Sequence, residues 1–426
     1  MPCVYWKQVE NGRFFFVFLA YFAVKSFSNR KGRNEQFHAV CGNRRQNTGV
    51  FPLDSSVNVI YTVPSMEHST TAHSMTAMAN RGILALEDGR CFHGISVGHE
   101  GIAAGEAVFN TATMGYQEII TDPSYAGQIV VMTTPQIGNT GINPEDNESE
   151  IKPLMKGLLM REISTRTSNW RATESLSDFL KRRQIVALSE IDTRSLTQHL
   201  RSHGTKRAVI ASGDWNPDEL IRKAKESPRL EEIDILEPLT VSQSLELPEP
   251  DDTKKIVVFD FGLKRSVLHA WASRGAKMVI LPAHTSAEDV LKMQPDAVLL
   301  SNGPGDPARL GSVSAEIAKL MGKVPIAGMA LGHQLLGIAL GGTTYRLPFG
   351  HYGTQPVLNR LTGRVHMTPQ NHNFCLLPES LPPEVEITHI NLNDGTIEGL
   401  RHKELPVYSL QFECTESWED MMPHMA

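Results

Sequence analysis

The sequence predicts an α/β protein with two domains, and three observations support that prediction. Residues 255–412 alternate short apolar runs with amphipathic stretches, as repeated βα units do. The runs are almost entirely apolar, which indicates a mainly parallel sheet with helices on both faces. Residues 79–235 mix strand and helix patterns without that alternation, which is typical of an α+β domain. Residues 236–254 are largely polar and contain prolines and an acidic run, so we expect a linker there.

The elements of the second domain follow from its hydrophobic periodicity. The predicted strands are 256–259, 278–281, 297–300 and 324–327, and the predicted helices are 264–273, 286–293, 314–321 and 335–340. Another strand-like segment covers 408–412. Ligands of such sheets bind beyond the carboxyl ends of the strands. The run Asn302–Gly305 and Ala330 both follow strand ends, so we expect them at the same edge.

The elements of the first domain are shorter. Strands are predicted from residue 82 to the Asp88-Gly89 turn, at 106–110 and at 128–133, and helices at 175–181 and 194–201. Either Asp192 or Thr193 is suited to cap the second of these helices, because both side chains accept hydrogen bonds from free backbone N–H groups.

Composition excludes several classes of protein. The 426 residues are 41% hydrophobic and 21% charged, as in ordinary globular proteins, and the net charge of -6 gives no support for nucleic-acid binding. The five cysteines are scattered, without C-x-x-C spacing, which argues for a reducing compartment and against a disulfide framework or a zinc site. We therefore predict no metal ligands. The sequence contains neither G-x-x-x-x-G-K-[ST] nor G-x-G-x-x-G, so no phosphate loop and no dinucleotide-binding fold are expected.

Residues 1–78 are an unassigned extension. Their apolar run, 14–24, is too short to span a bilayer, so no membrane association is predicted. Residues 1–64 contain eight basic and three acidic residues. This composition fits an organelle transit peptide, a mis-called gene start or a structured segment. The expected location is cytoplasmic, or the plastid stroma if the extension is a transit peptide.

The most informative motif is Gly328-Met329-Ala330-Leu331-Gly332-His333-Gln334, which follows the apolar run 324–327. It indicates a strand, a tight turn and a helix. Such an elbow presents one side chain at the top of a parallel sheet, beside a helix N-terminus that can stabilise an anion. The residue at the tip is Ala330, which has no nucleophilic group. The chain therefore has the frame of a catalytic site without its reactive atom.

This motif resembles the nucleophile elbow of class I glutamine amidotransferases, G-x-C-x-G-H-Q. More specifically, the chain from about Leu84 to Gln411 resembles the small, glutamine-hydrolysing subunit of carbamoyl-phosphate synthase. The resemblance rests on the joint order of several segments: Gly115–Glu118, Thr121–Tyr125, Ile191–Arg194, Asp260–Gly262, Asn302–Pro307 and Gln370–His372.

The resemblance implies both a reaction and a partner. The family hydrolyses glutamine and passes ammonia to a large subunit, which uses bicarbonate and two ATP to make carbamoyl phosphate for pyrimidine and arginine synthesis. It implies a heteromer whose small subunit holds an N-terminal small-subunit domain, an amidotransferase domain and no cofactor of its own. Glutamine and the large subunit are the expected partners.

The family's triad is replaced in this chain. The nucleophile position holds Ala330, and where the family has His-Pro-Glu the chain has Glu413-Cys414-Thr415. A register shift of one residue brings Glu416 to the carboxylate position but no histidine to the base position. We therefore expect glutaminase activity to be lost. Cys414 lies outside any elbow, and His333 belongs to the structural turn, so neither is expected to act in its place.

The substrate shell is better preserved. By resemblance, eight residues match family positions that contact glutamine or its oxyanion: Ser124, Gly303, Gly305, Leu331, Gln334, Asn371, Asn373 and Phe374. Asn373 departs from the glycine of many relatives, which puts one backbone contact in question.

Residues 413–426 form a divergent, truncated tail, because relatives continue past this point into a final helix. The abrupt change after Phe412 indicates a frameshift, a gene-model error or a decayed gene. Two rival functions remain: a regulatory protein that binds glutamine without cleaving it, and an amidotransferase of another pathway. The segment Gly115–Glu118 argues against the second, because those amidotransferases lack that domain.

Overall fold

The computed structural model describes residues 81–149, 155–247, 254–272 and 276–413, together with the backbone of five strands before residue 62. Contacts divide the chain into two units, Met1–Thr76 and Ala77–Ala426. The first unit contains strands β1 (Val4–Val9), β2 (Arg13–Phe18), β3 (Phe37–Ala39), β4 (Gly49–Pro52) and β5 (Asn58–Tyr61). They form one sheet in the order β2-β1-β3-β5-β4. The remainder of the predicted extension 1–78 lies outside the described residues.

The second unit begins with a closed seven-stranded barrel. Its strands are β6 (Arg81–Leu86), β7 (Cys91–Ser96), β8 (Ile102–Asn110), β9 (Gln128–Met132), β10 (Gly157–Leu159), β11 (Val186–Ser189) and β12 (Lys206–Ser212), in the order β10-β11-β7-β6-β12-β8-β9. The associated helices are α1 (Tyr116–Thr121), α2 (Leu176–Arg182), α3 (Thr193–His203) and α4 (Pro217–Glu226). Asp192 caps α3 by accepting a hydrogen bond from Ser195 N at 3.0 Å. The α+β character is as predicted, and closure of the barrel adds to it.

The rest of the unit is built on a ten-stranded sheet. Its strands are β13 (Leu245–Glu246), β14 (Lys255–Asp260), β15 (Lys277–Pro282), β16 (Ala297–Leu300), β17 (Ile326–Met329), β18 (Thr344–Asn359), β19 (Val365–Leu376), β20 (Val385–Asn391), β21 (Ile397–His402) and β22 (Val407–Leu410). Their order is β13-β15-β14-β16-β17-β22-β21-β20-β18-β19. The helices are α5 (Arg265–Ala272), α6 (Ala287–Lys292), α7 (Gly311–Leu320) and α8 (Leu331–Ala339).

The centre of this sheet is parallel and covered on both faces, as predicted. Strands β15, β14, β16, β17 and β22 run parallel. Alternate residues of β14 enter different cores: Val257 packs with α6, α7 and α8, whereas Val258 packs with Trp271 of α5. The carboxyl ends of these strands therefore meet at one edge, between two helical layers.

The sheet differs from the prediction at its two ends. Strands β18 to β21 extend it by antiparallel pairing, and β13 adds an antiparallel edge strand within the segment predicted as linker. Strand β18 is buried at residues 350–353 and β19 at residues 372–376, their other positions are mixed, and a short turn joins the two strands. Short connections join antiparallel strands, whereas parallel strands need long crossovers. Among the described residues, no helix is both long and apolar enough to cross a membrane.

Candidate functional site

The elbow has the geometry that its sequence predicts. Ala330 lies between β17 and α8 with φ 48° and ψ -112°, a conformation that costs a non-glycine residue on the order of 1–3 kcal/mol. Its N–H donates to the Leu410 carbonyl at 3.0 Å, and its carbonyl accepts from Gln334 N at 3.2 Å. The tight turn is therefore fixed by the neighbouring strand on one side and by the first turn of α8 on the other.

Two glycines make this turn possible. A Cβ at Gly328 would lie 2.6 Å from the carbonyl oxygen of Gly332, and a Cβ at Gly332 would overlap the carbonyl oxygen of Leu300. The chains approach so closely that only glycine fits at either position. The spacing of glycines around Ala330 thus has a steric cause in this fold, independent of any chemistry at the tip.

A pocket lies beside the elbow, and all eight predicted substrate-shell residues line it. They come from the barrel (Ser124), from the loop after β16 (Gly303 and Gly305), from the start of α8 (Leu331 and Gln334), and from β19 (Asn371, Asn373 and Phe374). Gln128, Leu230, Pro304 and His372 complete the lining. The fold thus gathers residues separated by up to 250 positions at the expected edge of the sheet.

Hydrogen bonds between the buried polar groups fix the walls of this pocket. The Gln334 amide nitrogen donates to the Phe374 carbonyl at 2.7 Å and to Gln411 Oε1 at 3.0 Å. On the opposite side, Asn302 Nδ2 donates to Ser124 Oγ at 3.1 Å. These contacts join α8, β19, the loop after β16 and the barrel, so the lining is positioned by both parts of the unit.

Asn373, which departs from the family pattern, has a structural role here. Its Oδ1 accepts a 2.5 Å hydrogen bond from the Tyr352 hydroxyl, and its Nδ2 donates to Glu106 Oε2 at 3.2 Å. Both partners are buried, and Glu106 belongs to β8 of the barrel. The Asn373 side chain is therefore used to join barrel and sheet.

His333 is not placed to act as a base. It is fully buried, and its Nδ1 lies 2.8 Å from Ser409 Oγ on β22. Burial lowers the pKa of His333 to about 3, so the ring is neutral near neutral pH. It is absent from the pocket lining.

Glu413, at the family's base position, forms a buried ion pair. Its Oε2 lies 2.8 Å from Lys264 Nζ, while Asp122 and Glu148 from the barrel lie 3.7 and 3.6 Å from the same nitrogen. We call these four residues the lysine cluster. Thr415 and Cys414 lie outside the described residues.

The lysine cluster contains more carboxylate than ammonium charge. Burial alone would lower the pKa of Lys264, but Glu413, Asp122 and Glu148 raise it well above its ordinary value. Burial raises the pKa of Glu413, and the attraction of Lys264 offsets this only in part. Lys264 therefore remains charged, and Glu413 takes up a proton more readily than an exposed glutamate does.

Replacing Glu413→Gln is expected to flatten the pH dependence of the free energy of unfolding. The pKa of Glu413 is raised above 4.5 in the folded state, so the native protein binds this proton more tightly than the unfolded chain. The contribution of Glu413 to the free energy of unfolding is therefore fully present below pH 4.5 and is lost as the pH rises through its folded-state pKa. Denaturant titrations between acid and neutral pH measure the slope. Exposed Glu404→Gln is the control, and an unchanged slope for Glu413→Gln would contradict the account.

Several residues around this pocket could not be predicted from the sequence. His372 lines the pocket, but in sequence it stands only as the last residue of the Gln370–His372 segment that resembles the family. Lys264, Asp122 and Glu148 gave no signal as a group, because the contacts among them depend on how the barrel meets the sheet. The segment resemblances at 121–125 and 260–262 point to that neighbourhood, but not to the ion pairs.

Comparisons with known proteins agree with this architecture. Residues 84–210 match the carbamoyl-phosphate synthase small chain, CPSase domain, and residues 257–415 match the class-I glutamine amidotransferase family. The first match decides against an amidotransferase of another pathway.

Full-length relatives extend the match. The carbamoyl phosphate synthase small chain of Syntrophotalea carbinolica is 45% identical over 346 residues, covering 78% of this chain and 92% of the relative. That of Akkermansia muciniphila is 46% identical over 342 residues, covering 78% and 91%. The chloroplastic small chain of Oryza sativa is 41% identical over 347 residues, covering 78% of each. The chain therefore belongs to the carbamoyl phosphate synthase small-chain family and has that family's class I glutamine amidotransferase domain.

Proposed function

We propose that this small subunit binds glutamine without hydrolysing it. The observation that carries the proposal is Ala330 at the tip of an intact elbow, beside a pocket lined by all eight residues of the expected substrate shell. Amide hydrolysis by this family's chemistry needs a thiolate that attacks the carbonyl carbon and a base that takes and returns a proton. The methyl group of Ala330 cannot form a covalent intermediate.

The base position supports the same proposal. Glu413 is paired with Lys264, and its side chain is 12% exposed. Glu413 is not among the residues that line the pocket, so its carboxyl group is not placed to pass a proton to a leaving amine. Loss of nucleophile and base together removes the covalent route, and removal of even one member of such a unit costs several orders of magnitude in rate.

Glutamine binding and hydrolysis can be tested on the unmodified chain. We expect saturable binding of glutamine by calorimetry and no ammonia release above the rate in buffer. Asn371→Ala in the pocket should weaken binding, whereas exposed Asn393→Ala should leave it unchanged. Ammonia release by the unmodified chain at rates typical of enzymes, roughly 1 per second or more, would refute the proposal.

The proposed partner is a carbamoyl phosphate synthase large subunit, which would use ATP while this chain carries no cofactor. The retained barrel domain supports this, since it matches the family over residues 84–210. A complex with the large subunit of a bacterial relative should make carbamoyl phosphate from ammonia but not from glutamine. Glutamine binding without any complex at micromolar concentration would favour a stand-alone regulatory protein.

The proposed location is the cytoplasm, or the plastid stroma if residues 1–78 act as a transit peptide. The rice relative, whose name includes the word chloroplastic, supports the second possibility. Fusing residues 1–78 to a fluorescent protein and imaging plant cells distinguishes the two locations.

A further inference from the structure

A buried cluster of histidine and carboxylate groups lies behind the pocket wall. His351 of β18, His372 of β19 and Glu398 of β21 each offer one ligand atom, and these atoms lie within 4.8 Å of one another. All three side chains are buried, and Glu398 is fully so. We call these residues, together with Gln370 between them, the histidine cluster.

The hydrogen-bond geometry of the two histidines is unusual, because all four ring nitrogens face oxygen atoms. His351 Nε2 lies 2.8 Å from Asp394 Oδ2, and His372 Nδ1 lies 2.9 Å from the Phe374 carbonyl. Their inner nitrogens, His351 Nδ1 and His372 Nε2, lie 3.1 and 2.9 Å from the same Gln370 Oε1.

Protons alone satisfy this arrangement only when the two rings differ in charge. With both rings neutral, at least one lone pair faces an oxygen, and two imidazolium rings would be buried 4.9 Å apart. If His351 alone is charged, the second nitrogen of His372 can accept only from the weak S–H donor of Cys375, 3.8 Å from Nδ1. Rotating the Gln370 amide moves the conflict elsewhere: its oxygen would then face Glu398 Oε2, now 2.8 Å from Gln370 Nε2. Asn391 Nδ2 donates one N–H to Glu398 Oε1 at 3.1 Å, and its second N–H reaches His351 Nδ1 only at the long distance of 3.5 Å.

We propose that the histidine cluster binds one divalent transition-metal ion, with Zn²⁺ as the best fit, through His351 Nδ1, His372 Nε2, Glu398 Oε1 and Gln370 Oε1. A cation accepts both inner lone pairs and leaves each ring one N–H for its outer oxygen. Two imidazoles with oxygen ligands are a donor set that suits Zn²⁺. Cysteine spacing argued against zinc, but these ligands are widely separated in sequence and involve no cysteine.

Three of the six distances among the four proposed ligand atoms are near those of a tetrahedral site, and the His351, His372 and Glu398 atoms all lie within 4.8 Å of one another. Bonds of about 2.0–2.1 Å at the tetrahedral angle place ligand atoms about 3.3 Å apart. The His351–Gln370 and His372–Gln370 separations are 3.1 and 2.9 Å, and His351 Nδ1 lies 3.6 Å from Glu398 Oε1. Small side-chain adjustments would complete the site.

The surroundings of the ligands match those of metal-binding histidines. Such residues donate their second N–H to a carboxylate or a backbone carbonyl, which fixes the ring. Asp394 is placed to serve His351 in this way, and the Phe374 carbonyl is placed to serve His372. The charges also balance, because a dication offsets the carboxylates of Glu398 and Asp394.

A metal ion bound here would link three strands of the antiparallel half of the sheet, β18, β19 and β21. His372 also lines the pocket, so the ion would fix part of the pocket wall without touching Ala330. This role is independent of glutamine hydrolysis and of the large subunit. The ion would therefore be structural, and the site can be tested by binding measurements alone.

The experiment uses the full chain purified without metal-affinity steps, stripped with a chelator and titrated with Zn²⁺. We expect about one equivalent bound per chain and an X-ray absorption spectrum with nitrogen and oxygen ligands only. His351→Gln and Glu398→Gln should each abolish stoichiometric binding, whereas His389→Gln, a buried histidine of the same sheet outside the cluster, should retain it. Asp394→Asn should weaken binding by about 10–100-fold.

Three results would overturn the proposal. They are folded wild-type chain that binds no stoichiometric Zn²⁺, sulfur ligands in the spectrum, and undiminished binding by both His351→Gln and Glu398→Gln. Circular dichroism establishes that each variant is folded. If both ligand variants fail to fold, the wild-type stoichiometry, its ligand spectrum and the Asp394→Asn affinity still decide the outcome.

Discussion

Ala330→Cys by itself is expected to restore little glutaminase activity, whereas adding Glu413→His and Thr415→Glu should raise the rate by about 10²–10⁴-fold over the single change. The elbow already holds residue 330 at φ 48°, and the pocket lies beside it, so a thiol introduced there is correctly placed. Placement is not sufficient, because an unpaired thiol has a pKa of about 8.5 and no acid to protonate the departing ammonia.

The histidine of the triple variant also reduces the excess of negative charge in the lysine cluster. Glu413→His removes one of three carboxylates around Lys264 and leaves Asp122 and Glu148 as its partners. We therefore expect the base position to accept a histidine without loss of stability. Restoring the family's sequence after Phe412 gives the introduced glutamate a native setting.

Ammonia release from glutamine measures the result, with and without a large subunit. The double variant Glu413→His with Thr415→Glu, still carrying Ala330, is the control and should be inactive. A triple variant no faster than Ala330→Cys would show that more than the triad has been lost.

The parallel half of the sheet could be predicted from sequence because its strands are continuous apolar runs. Strand β16 has the predicted bounds, 297–300. The start of α8 was less predictable: the helix begins at Leu331, four residues before the prediction. Gly332 suggests a turn by composition, yet it lies within α8. Glycine is needed there because the carbonyl of Leu300 leaves no space for a side chain.

The antiparallel half and both buried clusters escaped prediction for a common reason. The histidine cluster brings together residues from three strands, and the lysine cluster brings together residues from barrel and sheet. Neither cluster has a local sequence spacing. The first depends on the pairing of β18 with β19 and β20 and of β20 with β21, and the second depends on docking of the barrel. The pocket residues were predictable only because each stands in, or directly after, a segment that resembles the family.

Lys264→Met is expected to destabilise the second unit by about 3–5 kcal/mol, the usual cost of removing one partner from a buried ion pair. Lys264 has a side chain only 11% exposed and lies between Glu413, Asp122 and Glu148. Without it, three carboxyl groups would face one another in a buried site. They can then avoid repulsion only by taking up protons or by letting water separate barrel from sheet.

The pH dependence distinguishes this cause from simple loss of packing. Burial and mutual repulsion raise the pKa values of carboxyl groups that lack a cation, so the variant should retain most stability at acid pH and lose it as the pH rises. Adding Glu413→Gln to Lys264→Met should recover part of the loss, because it removes one of the repelling charges. Exposed Lys292→Met, which breaks only surface pairs, should cost less than about 1 kcal/mol. Chemical denaturation at several pH values measures the free energy of unfolding of all three variants. A loss for Lys264→Met that is as small as that for Lys292→Met, or that does not depend on pH, would contradict this account. It would mean that water already screens the cluster and that Lys264 does not hold barrel and sheet together.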